Sequence, residues 1–229
     1  MPQMLRRIRC SDVHGYAAAA ACGFELTRFD QIGSTNDAAM SYLRNGGERD
    51  HWFVADEQTG GRGRLGRVWS SPKGNLYASL AVKNPCPVSV GFQLGFVAAL
   101  AIYEAALDVG VARADLTLKW PNDILLQGAK LSGILVEGGV LANGAFTVVI
   151  GCGINVISHP ETPMYPATDL SEYGLGISVE SMFAALARQF RMVLSAFDEG
   201  RGFDEVRSRW IKAARGLGEP ISVRQPQGS

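Results

Sequence analysis

Histidine is nearly missing from this 229-residue chain: His14, His51 and His159 stand far apart. The four cysteines, Cys10, Cys22, Cys86 and Cys152, form no CxxC pair and have no histidine at a metal-ligand spacing, which argues against a zinc site or a redox dithiol and favours a reduced, cytosolic chain. There is no excess charge of either sign, since 22 Lys and Arg balance 22 Asp and Glu. Without a net positive field the chain is not expected to hold nucleic acid non-specifically. No uninterrupted apolar run approaches the roughly 18 residues of a membrane span. Arg6, Arg7 and Arg9 precede an alanine run in the manner of a signal peptide, but Asp12 and His14 interrupt it and Ala17 to Ala21 is too short for an apolar core. No internal repeat is present.

What is present is enough apolar residue for one sizeable core, at 47% of the composition. Ser34 caps a short helix that Gly46-Gly47 stops. His51 to Ala55 and Leu76 to Val82 read as buried strands, and Val88 to Val109 as a long buried helix. Leu116, Leu118 and Trp120 alternate with polar residues up to Pro121, as in a half-buried strand. Ile124 to Leu126, Gln127-Gly128 and Lys130 to Glu137 form a hairpin. Phe146 to Ile150 is a further strand, Gly151-Cys152-Gly153 a bulge or turn at its end, and Val179 to Phe197 and Phe203 to Ala214 are amphipathic helices. Hairpins interspersed with helices predict an α+β fold with a mixed sheet flanked by helices. Ile221 to Arg224 reads as a strand with nothing after it to pair with.

Gly61-Arg62-Gly63-Arg64-Leu65-Gly66 fits the dinucleotide-binding pattern G-x-G-x-x-G. That pattern works when the last glycine opens a helix, and here Arg67-Val68-Trp69-Ser70-Ser71-Pro72 starts none. Gly61 to Val68 with Leu80-Ala81-Val82-Lys83 imitates a kinase, but neither H-R-D nor D-F-G occurs. What remains is a glycine loop carrying three arginines whose guanidinium groups can fork onto carboxylate or phosphate oxygens. By itself it reads equally as a solvated basic loop or a nucleic-acid-binding RGG-like patch. Lys119-Trp120-Pro121-Asn122-Asp123 places a lysine, an amide and a carboxylate at a strand end, which is also an ordinary turn composition. Lys130-Leu131-Ser132-Gly133 opens the next strand with a lysine near a glycine, and a hairpin lysine is usually solvated.

In this order and spacing, Gly33-Ser34-Thr35-Asn36, Gln58 with Gly61 to Trp69, Lys119 to Asp123, Lys130 to Leu135, and Gly151 to Asn155 resemble the biotin protein ligase family, in its bacterial form without an N-terminal DNA-binding domain. The resemblance runs from about Phe29 to about Pro220. It implies a class II aminoacyl-tRNA synthetase/biotin ligase-like catalytic domain over residues 1–215, and at 216–229 the start of an incomplete SH3-like segment. It also implies ATP-dependent activation of biotin to biotinyl-5′-adenylate, then transfer to a lysine of the biotin carboxyl carrier protein of acetyl-CoA carboxylase. Ser34, Thr35, Asn36, Gln58, Arg62, Gly63, Arg64, Lys130, Gly133 and Gly153 are then expected at biotin. Arg67, Trp69, Lys119, Asn122, Asp123 and Asn155 are expected at ATP and the adenylate, with Asp123 as a Mg²⁺ ligand. Lys130, Lys119 and Arg64 are the expected catalytic groups. Leu65 stands where some members carry another arginine. About 30 residues precede the motifs, against roughly 60 in a helix-turn-helix domain, so DNA binding is not expected; a homodimer is left open. A lipoate-type ligase and a non-catalytic biotin- or adenylate-binding regulator are the alternatives.

Overall fold

A computed structural model describes residues 15–161 and 165–220. Seven strands, β1 (Glu25–Phe29), β2 (His51–Ala55), β3 (Leu76–Lys83), β4 (Leu116–Lys119), β5 (Asp123–Leu126), β6 (Ala129–Val140) and β7 (Phe146–Ile154), form one sheet in the order β1-β2-β3-β7-β6-β5-β4. β1 and β2 pair in parallel and every other neighbouring pair is antiparallel. The sheet is therefore mixed and the architecture α+β, as the hairpin pattern predicts. The helices are α1 (Ala18–Ala21), α2 (Thr35–Arg44), α3 (Leu94–Asp108), α4 (Val179–Phe197) and α5 (Phe203–Ala213).

Side chains alternate between the two faces of a sheet, and the faces here have different fates. Leu76, Ala78, Leu80 and Val82 of β3, Ile150, Cys152 and Ile154 of β7, and Ile134 of β6 point to one side, where α3 and α4 close the main core. Trp52 is fully buried there and meets Phe183 and Phe190 of α4 edge-on, with ring centroids 5.7 and 5.1 Å apart. Burying each such side chain contributes about 1.5–3 kcal/mol. Val88–Asp108, a 3₁₀ turn running into α3, is long and apolar enough to cross a membrane by length and composition, and 67% of its most apolar window is buried in this core.

On the other face, α2 lays Ala39 and Leu43 over Phe53, Ala81 and Val149. It covers only part of that face, and the uncovered part carries the glycines Gly133 and Gly153. The β5–β6 turn has Gln127 and Gly128 both at positive φ, 49° and 83°, the geometry of a tight two-residue hairpin.

The differences from the sequence reading are few. β1 and α1 were not expected. β7 runs on through Gly151-Cys152-Gly153 to Ile154, because β3 and β6 pair with it on both sides. Cys22 is disulfide-bonded, not reduced as expected, while Cys86 and Cys152 are buried free thiols. The strand expected at Ile221 to Arg224 lies outside the described residues.

Candidate active site

One register row crosses the whole sheet. Phe29, Ala55, Tyr77, Gly153, Gly133, Asp123 and Lys119 are successive cross-strand partners from β1 to β4. Directly paired residues share a face, so Lys119 and Asp123 stand on the same side as the two glycines. Lys130 joins them through an irregularity. Ile124 pairs with Ser132, but Leu125 pairs with Lys130, leaving Leu131 as an extra residue in β6. This bulge turns Lys130 out of the core-facing register of Ser132. Its Nζ then lies 2.6 Å from Asp123 Oδ1, with both side chains largely buried.

The loop between β2 and β3 folds over this row as a flap. Its arms are tied by Trp69 N donating to Gly61 O (3.0 Å) and Gly63 N to Arg67 O (2.7 Å). Its tip turns through Leu65 and Gly66, both at positive φ. The base is held beside α2 by Thr59 N to Ile32 O and Gly60 N to Gly33 O. A β-carbon on Gly133 would come within 2.8 Å of the Trp69 ring, and one on Gly153 within 2.5 Å. The indole thus rests where only glycine leaves space, and Lys130 Nζ sits 5.3 Å from its centroid and 5.2 Å from that of Tyr165. The flap segment Gln58 to Ser71 lines a cavity of about 380 Å³; Lys130 is not in its wall.

Below the flap, Gln58 Oε1 accepts from Thr35 N (2.8 Å) and Thr35 Oγ1 (3.0 Å), and its Nε2 donates to Ser71 Oγ (3.1 Å). The buried Ser79 hydroxyl lies 2.7 Å from Thr35 Oγ1 and 2.6 Å from Asn36 Oδ1. Asn36 donates to Glu137 Oε2 (2.7 Å). Ser34 caps α2, accepting from Asp37 N. Arg62 forks onto Asp37 at 2.8 and 2.6 Å. That hydrogen bond holds the Asp37 carboxyl below its ordinary range, outweighing the opposing effect of desolvation. Arg64 donates to Asn122 Oδ1 (3.2 Å), and Asn122 is fixed by its own donation to Ile134 O (3.0 Å).

The residues read from sequence therefore divide. Thr35, Asn36, Gln58, Arg62, Arg64, Trp69, Asn122, Asp123, Lys130, Gly133 and Gly153 converge on the flap and the row beneath it. Lys119 and Arg67 are exposed at its rim. Asn155 is buried, and its amide donates to Thr168 O (3.0 Å) and Lys130 O (3.4 Å), bracing the backbone of Lys130. Ser79, Glu137 and Tyr165 were missed. A serine in the apolar run Leu76 to Val82 was the available signal for the first; Glu137 and Tyr165 reach the site only through long-range pairing. Away from the flap, His159, Asp169 and Glu172 bring donor atoms within 4.8 Å of one another. They are already paired internally, His159 Nδ1 lying 2.8 Å from Asp169 Oδ2.

The chain is similar to known proteins. The profile of the biotin/lipoate A/B protein ligase family matches residues 29–155. The chain is 38% identical over 200 residues to a biotin--[acetyl-CoA-carboxylase] ligase of Paracoccus denitrificans, covering 83% of this chain and 81% of that one. It is 30% identical over 220 residues to the bifunctional ligase/repressor BirA of Bacillus subtilis, covering 90% of this chain and 65% of that protein. The structure of a biotin protein ligase from Leishmania major in complex with biotinyl-5-AMP superposes with a TM-score of 0.75 at 25% identity, over 90% of this chain and 87% of that one. That of the Aquifex aeolicus enzyme in complex with biotin and ATP does so with a TM-score of 0.69 at 29% identity, over 85% and 80%. The chain belongs to the biotin/lipoate A/B protein ligase family.

Proposed function

We propose that this chain is a biotin protein ligase, which joins biotin to ATP as biotinyl-5′-adenylate and passes the biotinyl group to a lysine of the biotin carboxyl carrier protein of acetyl-CoA carboxylase. The observation that carries this reading is the bulge that sets Lys130 beside Asp123, on the glycine row under an arginine-bearing flap. The biotin carboxylate attacks the α-phosphorus of ATP and pyrophosphate leaves. The acceptor amine then attacks the acyl carbon of the mixed anhydride and AMP leaves. Substrates supply both nucleophiles, so the protein needs no triad, in keeping with the scarcity of histidine. What it supplies is position and positive charge where negative charge gathers.

In this reading Lys130 stands at the biotin carboxylate and the α-phosphate, with Lys119 at the rim for the leaving pyrophosphate. The flap backbone at Arg62-Gly63-Arg64 and the Thr35-Asn36-Gln58 network hold biotin; Ser34 serves that network by capping α2. Arg67, Trp69 and Asn122 border the nucleotide, and Asn155 acts by bracing Lys130. Because Trp69 lies against Gly133 and Gly153, the flap lifts to admit ligands and then excludes water and stray amines. Asp123 offers the single carboxylate that, with substrate phosphates, suits Mg²⁺, which would neutralise phosphate charge. We place the enzyme in the cytosol, where ATP is supplied, and take residues 1–215 as the catalytic domain.

The test is incubation with ATP, Mg²⁺, labelled biotin and a biotin carboxyl carrier domain. Covalent label on the carrier is expected. Pyrophosphate exchange driven by lipoate but not biotin, or saturable biotin binding without any labelling, would replace the proposal by a lipoate ligase or a regulator.

A further inference from the structure

The flap is held unequally at its two sides. Arg64 makes one hydrogen bond to Asn122, at 3.2 Å. Arg62 makes two parallel ones to Asp37 and lies 3.8 Å from Glu137. Exposed ion pairs generally hold little, with planar bidentate pairs and networks as the exceptions. This pair is both. Glu137 also accepts from Asn36, which is 5% exposed, and Asn36 accepts from Ser79, which is 0% exposed. The Arg62 guanidinium is thus rooted in a polar network that is buried at its inner end. A β-carbon on Gly151 would collide with Asn36 Oδ1, so the amide sits in space that only glycine leaves.

We propose that Asp37 and Glu137 are positioning residues that latch the flap at Arg62, so that it opens at the Arg64 side while pivoting on the Arg62 side. The Arg62 guanidinium is taken up by these carboxylates, and what Arg62 presents to a ligand is its backbone. The flap therefore closes in one orientation, with Trp69 over the two glycines, instead of sampling many. The consequence for the ligation rests on the biotin reading: a loosened latch lets the adenylate escape and weakens biotin binding, while the chemistry under a closed flap is unchanged.

The latch is tested first without ligand. Trypsin cuts after exposed arginines, cleavage is read by mass at Arg64 and Arg67, which every variant keeps, and the flap must leave the sheet to enter the protease. Asp37→Asn and Glu137→Gln should each speed that cleavage about five- to tenfold, the effect of losing a charge-assisted hydrogen bond at a partly solvated site, with the melting temperature lowered by no more than about 5 °C. Asp37→Glu should restore most of the protection. Asp37→Asn combined with Arg62→Gln should cleave no faster than either alone, because both remove one interaction. Unchanged cleavage in Asp37→Asn, additive effects of the two substitutions, or faster cleavage accompanied by a fall in melting temperature larger than about 5 °C would overturn the proposal. In the enzyme assay, Asp37→Asn should raise KM for biotin and the adenylate release rate by a similar factor while leaving kcat within twofold. Absence of biotin-dependent turnover in the unsubstituted chain would refute the biotin reading and leave the proteolysis result to decide the latch.

Discussion

Gly133 and Gly153 face each other across β6 and β7, and the Trp69 indole lies against both. Neither position has space for a methyl group while the ring is there. The pair makes a flat, side-chain-free bed on which the flap settles, and the same bed is what a thin ligand ring or an extended chain needs when the flap lifts.

Gly153→Ala is accordingly expected to push Trp69 off the sheet, at a cost of about 1–3 kcal/mol for an overfilled contact. The closed flap should be the state that suffers. The KM for biotin is expected to rise at least about fivefold, the low end of that energy range, with a red-shifted tryptophan emission in the free protein. An unchanged KM would show that the indole and the ligand do not share this bed.

Lys130→Ala removes the cation that the bulge delivers to the row. Adenylate formation, measured by biotin-dependent pyrophosphate exchange, is expected to fall by at least about two orders of magnitude, as for the loss of one preorganised donor. Near-normal exchange would refute the placement of Lys130 at the reacting atoms.

Arg64→Gly leaves the Arg62 latch intact but frees the opening side of the flap from Asn122. The variant is expected to release biotinyl-adenylate and to label a protein that carries no acceptor sequence. Selectivity equal to that of the parent chain would count against a retaining role for Arg64.

Asp169 gives a pH dependence whose sign can be worked out. Burial opposes its ionisation, but hydrogen bonds from Ser171, His159 and the Glu172 amide outweigh this and set its carboxyl below the ordinary 3.8. A depressed carboxyl contributes stability that is present above the unfolded value and disappears as the pH falls through the folded one. Urea unfolding should therefore show Asp169→Asn less stable than the parent at pH 5, with the gap closing below about pH 3.8. A gap that stayed constant down to pH 3 would mean that the charge of Asp169 plays no part.

Much of this site was legible along the chain because its parts are local. Glycines with arginines between two strands read as a flap, Ser34 as a cap, Gln127-Gly128 as a hairpin turn, and the alternation ended by Pro121 as a strand terminus. Each depends on residues within a few positions of one another. β1 escaped because Glu25 to Phe29 lacks a clean alternation, and its strand character comes from pairing with β2. Glycines in β7 suggested a turn, but partners on both sides keep that segment extended.

By itself the sequence determined the order of most helices and strands and the arginine-bearing loop, because local periodicity and turn chemistry act over short spans, while the expected site residues followed from its resemblance to a known family. Only the tertiary structure decided which way Lys130 points, since one extra residue in β6 reverses the face of a side chain. Pairing between distant segments also set Trp69 on Gly133 and Gly153 and tied Arg62 to Asp37 and Glu137. Strand register and bulges arise from contacts between segments far apart in the chain, and no local pattern encodes them.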